Sequence, residues 1–366
     1  MNLKLWLPIL ALVLPLSLAL FGPSLVLGGE VPSNLTYKVL DPIRHGNLTV
    51  FPVVAAKSYD TQQFLTLDEG VRSGEVVVTE AGSATPLVRP RHAGPVPVWP
   101  QGQGAQVNQL VLINNSKRPL ILLAGEIVTG GKQDRVIGKD RIIPPESDPI
   151  DLGVFCVEPG RWTGASASFG SMNSAMAQPA VRAKAMGEKD QAQVWAEVRK
   201  AQESIAQNLT VEAAAPVRET SSYARVMQNP GVAKQVDSVA EPIQQSYQSL
   251  IKQLRDQNAV GVVVAVNGQI VWADLFASTS LLEKYWPKLV RSYAAEAVVT
   301  KAKGCEIGVK QAQAFLEHLD GRHETVDSEP GLYRHTEISG DGFRAFELTS
   351  LLPKTGFDLH VAKMAE

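Results

Sequence analysis

Ionisable side chains gather in a glycine-rich stretch that begins at Gly125. Its charged and amide residues are Glu126, Lys132, Gln133, Asp134 and Arg135. A second group of similar chemistry, Glu158, Arg161 and Trp162, begins about thirty residues after Glu126. Arginine and lysine can bind an anionic group, and a neighbouring carboxylate can act as a general base when burial raises its pKa. These two groups are therefore the candidate ligand-binding residues, and no residue is assigned a catalytic role.

The glycine-rich stretch looks superficially like a phosphate loop, but its pattern departs from that motif. A nucleotide-binding loop reads G-x-x-x-x-G-K-[ST] and opens a helix. Here Gly131 displaces Lys132 by one position, and Gln133 replaces the hydroxyl that binds magnesium. Residues 134–137 are typical of a strand, so the helix N-terminus that would bind phosphate is missing. The pattern favours a glycine turn between two strands over nucleoside triphosphate hydrolysis.

Two interpretations of the charged groups stay open at the level of sequence. Facing cations and carboxylates can form salt bridges that close one end of a β-structure, which is a purely structural role. Alternatively, Arg135, Arg161 or Lys132 binds an anionic group in a polar pocket, with Glu126 or Glu158 as a base.

Other reactive side chains give weaker patterns. Cys156 and Cys305 could pair in an oxidising compartment, or Cys156 could remain a buried free thiol. His318 and His323 are five residues apart across a predicted helix end, which puts them on the wrong faces for a shared metal ion. We therefore predict no metal site and no cofactor.

The composition limits the class of protein. The chain has 366 residues, of which 45% are hydrophobic and 20% charged, and its formal net charge is -2. Such a chain can bury a sizeable core in one or two globular domains. Its balanced charge gives no electrostatic basis for binding nucleic acid, so we expect no nucleic-acid partner.

The N-terminus has the pattern of an export signal. Residues 5–27 are apolar apart from two serines, and Lys4 is the only charge before Glu30. A basic start followed by an apolar run is typical of a secretory signal peptide, here residues 1–29. The alternative is an uncleaved membrane anchor formed by residues 5–27, since 23 residues can span a bilayer. Either way we expect an exported protein, periplasmic or extracellular, with membrane contact only if the anchor is retained.

Residues 30–165 have the pattern of a β-structure. Short apolar runs alternate with Gly, Pro, Asn and Asp at intervals of about ten residues. The predicted strands are residues 48–54, 74–79, 109–113, 120–124, 134–137 and 152–157. This spacing predicts a β-sandwich or jelly-roll-like half, with a long loop over residues 92–106.

Residues 166–259 are predicted to be a helical segment with loops. Val194, Val198, Ala201 and Ile205 recur at helical spacing, and a second stripe that includes Pro242 runs over residues 236–254. The polar stretch 208–229 predicts a loop, and the Ser-, Ala- and Gly-rich residues 162–179 predict a linker or ordered loop.

Residues 260–366 are predicted to form an α+β half. Asn267-Gly268 separates two strand patterns and is a strong hairpin signal. Ser280 and Glu283 predict a capping box before a helix. Residues 311–319 predict a short helix, and residues 343–349 and 357–362 predict closing strands. The predicted fold class is α+β, and residues 30–366 could also form one compact domain.

Two strings carry a resemblance to a known family. They are G-E-x-x-x-G-G-K-Q-D-R over residues 125–135 and V-F-C-V-E-x-G-R-W over residues 154–162. They resemble a bacterial domain family of unknown function, named for its association with ADP-ribosylglycohydrolases and rhodanese/phosphatase-superfamily proteins. The resemblance covers residues 44–350 and implies a context of ADP-ribose or phosphorylated metabolites. It implies no catalytic residues.

The leading hypothesis is an exported, non-catalytic binding or scaffold protein whose small anionic ligand or protein partner meets the charged groups. The alternative is an enzyme acting on a small anionic substrate, nucleotide- or ADP-ribose-like. A second alternative is a purely structural protein. All three depend on whether the two charged groups come together in space.

Overall fold

The computed structural model describes residues 37–81, 105–254, 257–300, 306–318 and 322–366. The predicted leader, almost all of the predicted loop 92–106 and Cys305 lie outside the described residues. Among the helices that are described, none is long and apolar enough to cross a membrane. The described residues all belong to one compact unit, Thr36–Glu366.

The strands and helices follow one another along the whole described chain. The strands are β1 (Tyr37–Val39), β2 (Ile43–His45), β3 (Leu48–Ala55), β4 (Leu65–Thr66), β5 (Val76–Glu80), β6 (Gln109–Asn114), β7 (Leu120–Leu122), β8 (Glu126–Gly130), β9 (Arg135–Ile137), β10 (Arg141–Ile143), β11 (Ile150–Cys156), β12 (Phe169–Met176), β13 (Asn258–Val266), β14 (Gln269–Phe276), β15 (His323–Glu329), β16 (Tyr333–Gly340), β17 (Phe343–Ser350) and β18 (Asp358–Ala365). The helices are α1 (Leu67–Ser73), α2 (Pro179–Ala183), a π-helical turn (Lys184–Glu188), α3 (Gln191–Gln207), α4 (Val211–Glu219), α5 (Tyr223–Gln228), α6 (Pro230–Gln253), α7 (Thr279–Val299) and α8 (Val309–Glu317).

Strands from both ends of the chain build one large antiparallel sheet. Its order is β1-β3-β13-β14-β18-β17-β16-β15, with β2 paired to β3. The predicted hairpin is present, because β13 and β14 pair antiparallel on either side of Asn267-Gly268. The predicted closing strands are β17 and β18, which pair with each other.

The other described strands close into a six-stranded barrel in the order β11-β6-β5-β12-β8-β9, beside a small sheet β10-β7-β4. Alternate side chains of the barrel strands form one apolar cluster, which fills a barrel of this size. The α+β class is therefore confirmed. The finer expectation of a β-sandwich or jelly roll is not confirmed, because β11 pairs with both β6 and β9 and so completes the barrel.

Three local expectations need correction. Residues 208–229 are not a loop, because they contain α4 and α5, capped by the side chains of Thr210 and Ser222. Residues 162–179 include a barrel strand, β12, which pairs with β8. The hydroxyl that caps α7 belongs to Ser278 and not to Ser280, since it accepts a hydrogen bond from the Leu281 amide.

Helix α7 connects the two β-structures. It packs against β12 of the barrel, β13 of the large sheet and α6. The apolar stripe predicted for α3 is buried as expected, and Pro242 lies inside α6 without ending it. The barrel and the large sheet are therefore held in one hydrophobic core.

Candidate functional site

The glycine-rich stretch forms the turn between β8 and β9, at one end of the barrel. The two strands pair antiparallel, with Val128 opposite Arg135. At Gly131 the backbone φ is 48°, and a Cβ atom there would lie 2.2 Å from the Phe169 ring. Only glycine fits this position, because a side chain would meet both the strained backbone and the ring. The turn brings residues 132–135 to the barrel end.

Arg161 binds two carboxylates of this region, Glu158 and Asp134. Its Nη2 lies 2.5 Å from Glu158 Oε2 and 3.4 Å from Asp134 Oδ1. Its Nη1 donates to the carbonyl oxygens of Gly131 and Thr163, each at 2.9 Å. Arg161 therefore holds the glycine turn in place from outside the barrel wall.

The partners of Arg161 are themselves well bonded. Asp134 accepts hydrogen bonds from Ser222 Oγ at 2.7 Å and from the Gly130 amide at 3.0 Å. Burial raises the pKa of the Asp134 carboxyl, and these donors and Arg161 only partly oppose that effect. The bond to Glu158 raises the pKa of Arg161. Since Ser222 also caps α5, this arrangement fastens a helix to the barrel.

Arg135 occupies a different environment, inside the barrel. It alternates with Ile137, which belongs to the apolar barrel cluster, so its side chain projects inward. The residue is completely enclosed. Its Nη1 donates a long bond of 3.4 Å to the Asp134 carbonyl. Within the described residues, its Nε and Nη2 atoms have no hydrogen-bond partner.

We define the barrel mouth as Glu80, Lys132, Arg135, Cys156 and Trp162. Cys156 pairs directly opposite Arg135 across the β9–β11 ladder. Trp162 is 43% exposed, and its ring centroid lies 6.0 Å from the Arg135 guanidinium carbon and 5.0 Å from Lys132 Nζ. The indole is therefore the outermost part of the mouth, with both cations beside it.

A further polar atom at the mouth is unsatisfied. Glu80 Oε1 accepts the Lys132 amide at 2.7 Å, whereas Glu80 Oε2 has no partner among the described residues. Outside the mouth, Gln133 donates to the Glu158 carbonyl oxygen at 3.1 Å. Burial lowers the pKa of Arg135, although Cys156 and Glu80 oppose this effect. A buried cation that is only partly compensated, beside an open acceptor, is typical of a site shaped for a ligand.

Glu126 does not lie at the mouth. It starts β8, four residues before Gly130, which corresponds to about 13 Å of strand. Its buried carboxylate binds Lys288 of α7 and accepts the Leu123 amide at 2.8 Å. Lys288 also binds Asp68 at 2.8 Å. The grouping of Glu126 with the other candidates is therefore corrected, since it joins α7 to the barrel.

The structure brings the other seven candidates together, namely Lys132, Gln133, Asp134, Arg135, Glu158, Arg161 and Trp162. Sequence reasoning missed Glu80 and Ser222. The alternation along β5 could have indicated Glu80. Residues two apart face the same way on a strand, and Val76 and Val78 fill the barrel, so Glu80 faces its interior too. Nothing in the local sequence around Ser222 indicates its contact with Asp134.

Comparison with family models decides the family. The model of the ARPP-1 domain, the ARG and Rhodanese-Phosphatase-superfamily-associated Protein domain, matches residues 36–362. The chain belongs to the ARPP-1 family. The resemblance inferred from the two strings is thereby confirmed over a slightly longer range. No curated protein and no solved structure matches the chain.

A second polar cluster of this ARPP-1 domain is completely buried. Asp140 Oδ2 lies 2.5 Å from His360 Nδ1, and His360 Nε2 lies 3.0 Å from Asp274 Oδ1. Arg182 donates two bonds of 2.9 Å to Asp274, and Tyr293 also donates to that carboxylate. We call these five residues the buried network. It connects the barrel side, α2, α7 and the large sheet.

The charges of the buried network compensate one another. Burial alone would lower the pKa of His360, but Asp140 and Asp274 outweigh it and raise that pKa to about 9. Burial would raise the pKa of Asp274, but Arg182 and His360 hold it well below its usual range. Two carboxylates thus face two cations, and none of the four is exposed. Because each charge of the network is already matched by another, the network stabilises the fold of the ARPP-1 domain and offers no unpaired charge to a ligand.

The first glycine of the string over residues 125–135, Gly125, leaves room for Arg182 of the buried network. A Cβ atom on Gly125 would lie 2.6 Å from Arg182 Cγ, and the backbone φ there is 95°. Glycine lets the Arg182 side chain pass on its way to Asp274. The string therefore supports the barrel mouth at one end and the buried network at the other. Among the described residues of the ARPP-1 domain, no group of three His, Cys, Asp or Glu could hold a metal ion.

Proposed function

We propose that this chain is an exported, non-catalytic binding protein that takes a small anionic ligand at the barrel mouth. The proposal rests on the environment of Arg135. Its side chain is fully enclosed, and its Nε and Nη2 atoms lack a hydrogen-bond partner among the described residues. These two atoms form one side of the guanidinium, the side that binds a carboxylate or phosphate with two parallel hydrogen bonds. Export rests on the apolar N-terminal pattern alone.

A purely structural role explains Arg161 better than Arg135. Arg161 bonds two carboxylates and several carbonyl oxygens, so its charge is used to fix the turn. A buried guanidinium in which two nitrogens lack a partner costs free energy that an apolar side chain would avoid. Since Arg135 gives little to the fold, a ligand best explains a charged side chain at this buried position.

The atoms around Arg135 favour a sugar phosphate, nucleotide- or ADP-ribose-like. Lys132 adds a second cation for the phosphate, and Trp162 offers a face for a base or sugar ring. Glu80 Oε2 is a free acceptor for a sugar hydroxyl among the described atoms. The family association with ADP-ribosylglycohydrolases agrees with this ligand class.

The alternative of an enzyme has less support. Asp134 is the carboxyl of this region whose pKa is raised by burial, as a general base requires. However, its two oxygens already accept bonds from Ser222, Gly130 and Arg161. An acid–base residue held by three donors is poorly placed to exchange a proton with a ligand.

The first prediction concerns Arg135→Met. Titration calorimetry with ADP-ribose, ribose 5-phosphate and inorganic phosphate is expected to give at least a tenfold loss of affinity in the variant. Its melting temperature should be unchanged or higher, because a poorly compensated buried charge is replaced by an apolar chain of similar volume. Equal binding by the variant and the wild type would remove the proposal.

Arg161→Met is the matched control. Here we expect the free energy of unfolding to fall by about 2 kcal/mol, since two carboxylates lose their cation. Urea unfolding of both variants separates the roles. If Arg135→Met is destabilised as much as Arg161→Met and no ligand binds the wild type, the structural alternative holds.

A further inference from the structure

A cleft of about 450 Å³ lies between the barrel and the large sheet, lined by β11, the π-helical turn and strands β15–β17. Neither the barrel mouth nor the buried network contributes a side chain to it. A volume of this order is within the range of small-molecule sites. A second, smaller cleft of about 220 Å³ adjoins it and shares Lys139, Gly153 and Asp327.

The sheet register puts the polar side chains of the cleft on one face. His335 of β16 lies opposite Asp327 of β15, and Glu337 lies opposite both Thr325 and Phe346. Because side chains two residues apart share a face of a strand, these five residues face the barrel together. All five line the cleft.

His335 is the unsatisfied group of the cleft. It is 7% exposed, and its Nε2 has no hydrogen-bond partner within the described ranges. Burial lowers its pKa to about 4, although Asp140 opposes this effect. The imidazole is therefore neutral at neutral pH, and its buried nitrogen can exchange one hydrogen bond with a bound molecule.

The charges around His335 are already matched. Lys139 is paired with Asp327, and Lys189 Nζ lies 2.6 Å from Glu337 Oε2. A ligand with net charge would find each of these charges already paired and would gain little from them. An uncharged ligand leaves both pairs intact.

The floor of the cleft is apolar. Met186 and Ala185 come from the π-helical turn, a rare element that is frequent at functional sites, and Phe155 and Phe346 face it. The turn ends at Glu188, and the next residue, Lys189, has a left-handed backbone with φ 52° and also lines the cleft. Such a floor suits a ring or a short alkyl body.

We propose that this cleft binds an uncharged small molecule with an apolar body and one hydrogen-bonding group that meets His335 Nε2. The proposal is independent of the barrel mouth, with which the cleft shares no residue. The charge and size of the ligand and its contact with His335 Nε2 can each be varied, either in the probe molecule or in the protein.

A large side chain at position 153 would block the cleft. It lines the cleft, and a Cβ atom there would meet nothing within 4 Å. Gly153→Phe therefore places a ring in the cleft from a position where the Cβ atom has open space. Gly170→Phe is the matched control, because Gly170 is also an exposed barrel-strand glycine with open space around its Cβ position but does not line the cleft.

The experiment is saturation-transfer NMR on the full chain with p-cresol and acetanilide, against p-toluate and p-methylbenzylamine as charged probes of similar shape. The uncharged probes should bind the wild type and Gly170→Phe alike. We expect at least a tenfold loss in Gly153→Phe, and roughly a fivefold loss in His335→Leu, which removes one hydrogen bond. Failure of both uncharged probes to bind, equal binding by the charged probes, or equal binding by Gly153→Phe would each overturn the proposal.

Discussion

Replacing Asp274 by asparagine is expected to lower the free energy of unfolding by about 3 to 5 kcal/mol. Asp274 bonds Arg182 twice, His360 once and Tyr293 once, all without solvent contact. With the neutral amide of asparagine at position 274, Asp140 is the one carboxylate of the buried network that remains for Arg182 and His360. Urea unfolding followed by circular dichroism measures the change.

Asp327→Asn is the control for that prediction. Asp327 also pairs with a cation, Lys139, but its side chain is 71% exposed. Exposed pairs contribute less than about 1 kcal/mol. If Asp274→Asn does not fold, Tyr293→Phe removes one bond of the buried network, with an expected loss of about 1 to 2 kcal/mol. A loss at Asp274 or Tyr293 no larger than at Asp327 would contradict the role of the buried network.

Stability should also fall by about 3 kcal/mol as the pH rises from about 6.5 to about 9. The pKa of His360 is about 9 in the folded chain, against a usual value of 6.5, because it lies between Asp140 and Asp274. A raised pKa means that the folded state binds the proton more tightly, so the stabilisation is complete below pH 6.5 and is lost towards pH 9. Urea midpoints measured at pH 6, 7, 8 and 9 test this.

The control is His360→Gln, in which the fall above pH 7 should disappear. Glu347, whose pKa burial raises to about 7, contributes a loss that ends near that pH. Lys363, whose pKa burial lowers to about 8, acts in the opposite direction above pH 8. Both groups remain in the variant. The difference between the urea midpoints of the wild type and of His360→Gln, plotted against pH, therefore isolates the contribution of His360. Parallel curves would show that His360 is not the titrating group.

Local patterns in the sequence predict much of the fold. Alternation and turn residues locate ten of the eighteen described strands to within two or three residues, and Asn267-Gly268 locates the hairpin. These signals lie in neighbouring residues, which is why they can be read without a structure. The α4–α5 region is missed because its polar composition hides helices that are defined by their caps at Thr210 and Ser222.

The closure of the barrel could not be predicted. Whether these strands form a sandwich or a barrel depends on the pairing of β11 with both β9 and β6, and four other strands lie between β6 and β11 in the sequence. The same limitation applies to β12, whose Ser- and Gly-rich sequence resembles a linker. It becomes a strand because β8 offers an unpaired edge.

The candidate site was predictable where its residues follow a single turn. Lys132, Gln133, Asp134 and Arg135 come together because the glycine turn is short. Glu126, at the other end of β8, was grouped with them by sequence proximity alone. The buried network could not be predicted at all, because its members lie on elements that are distant along the chain and no periodic pattern joins them.

The pairing of β3 with β13 has a consequence for biosynthesis. The Asn258 side chain donates to the carbonyl of Ala55, 203 residues earlier, and the two strands pair along their length. A ribosome must therefore make more than half of the polypeptide before β3 gains its inner neighbour. Until then an apolar strand edge is open to other nascent chains, and contacts of such long range form slowly. Truncated products that stop before residue 258 should aggregate, whereas the full chain should fold after release.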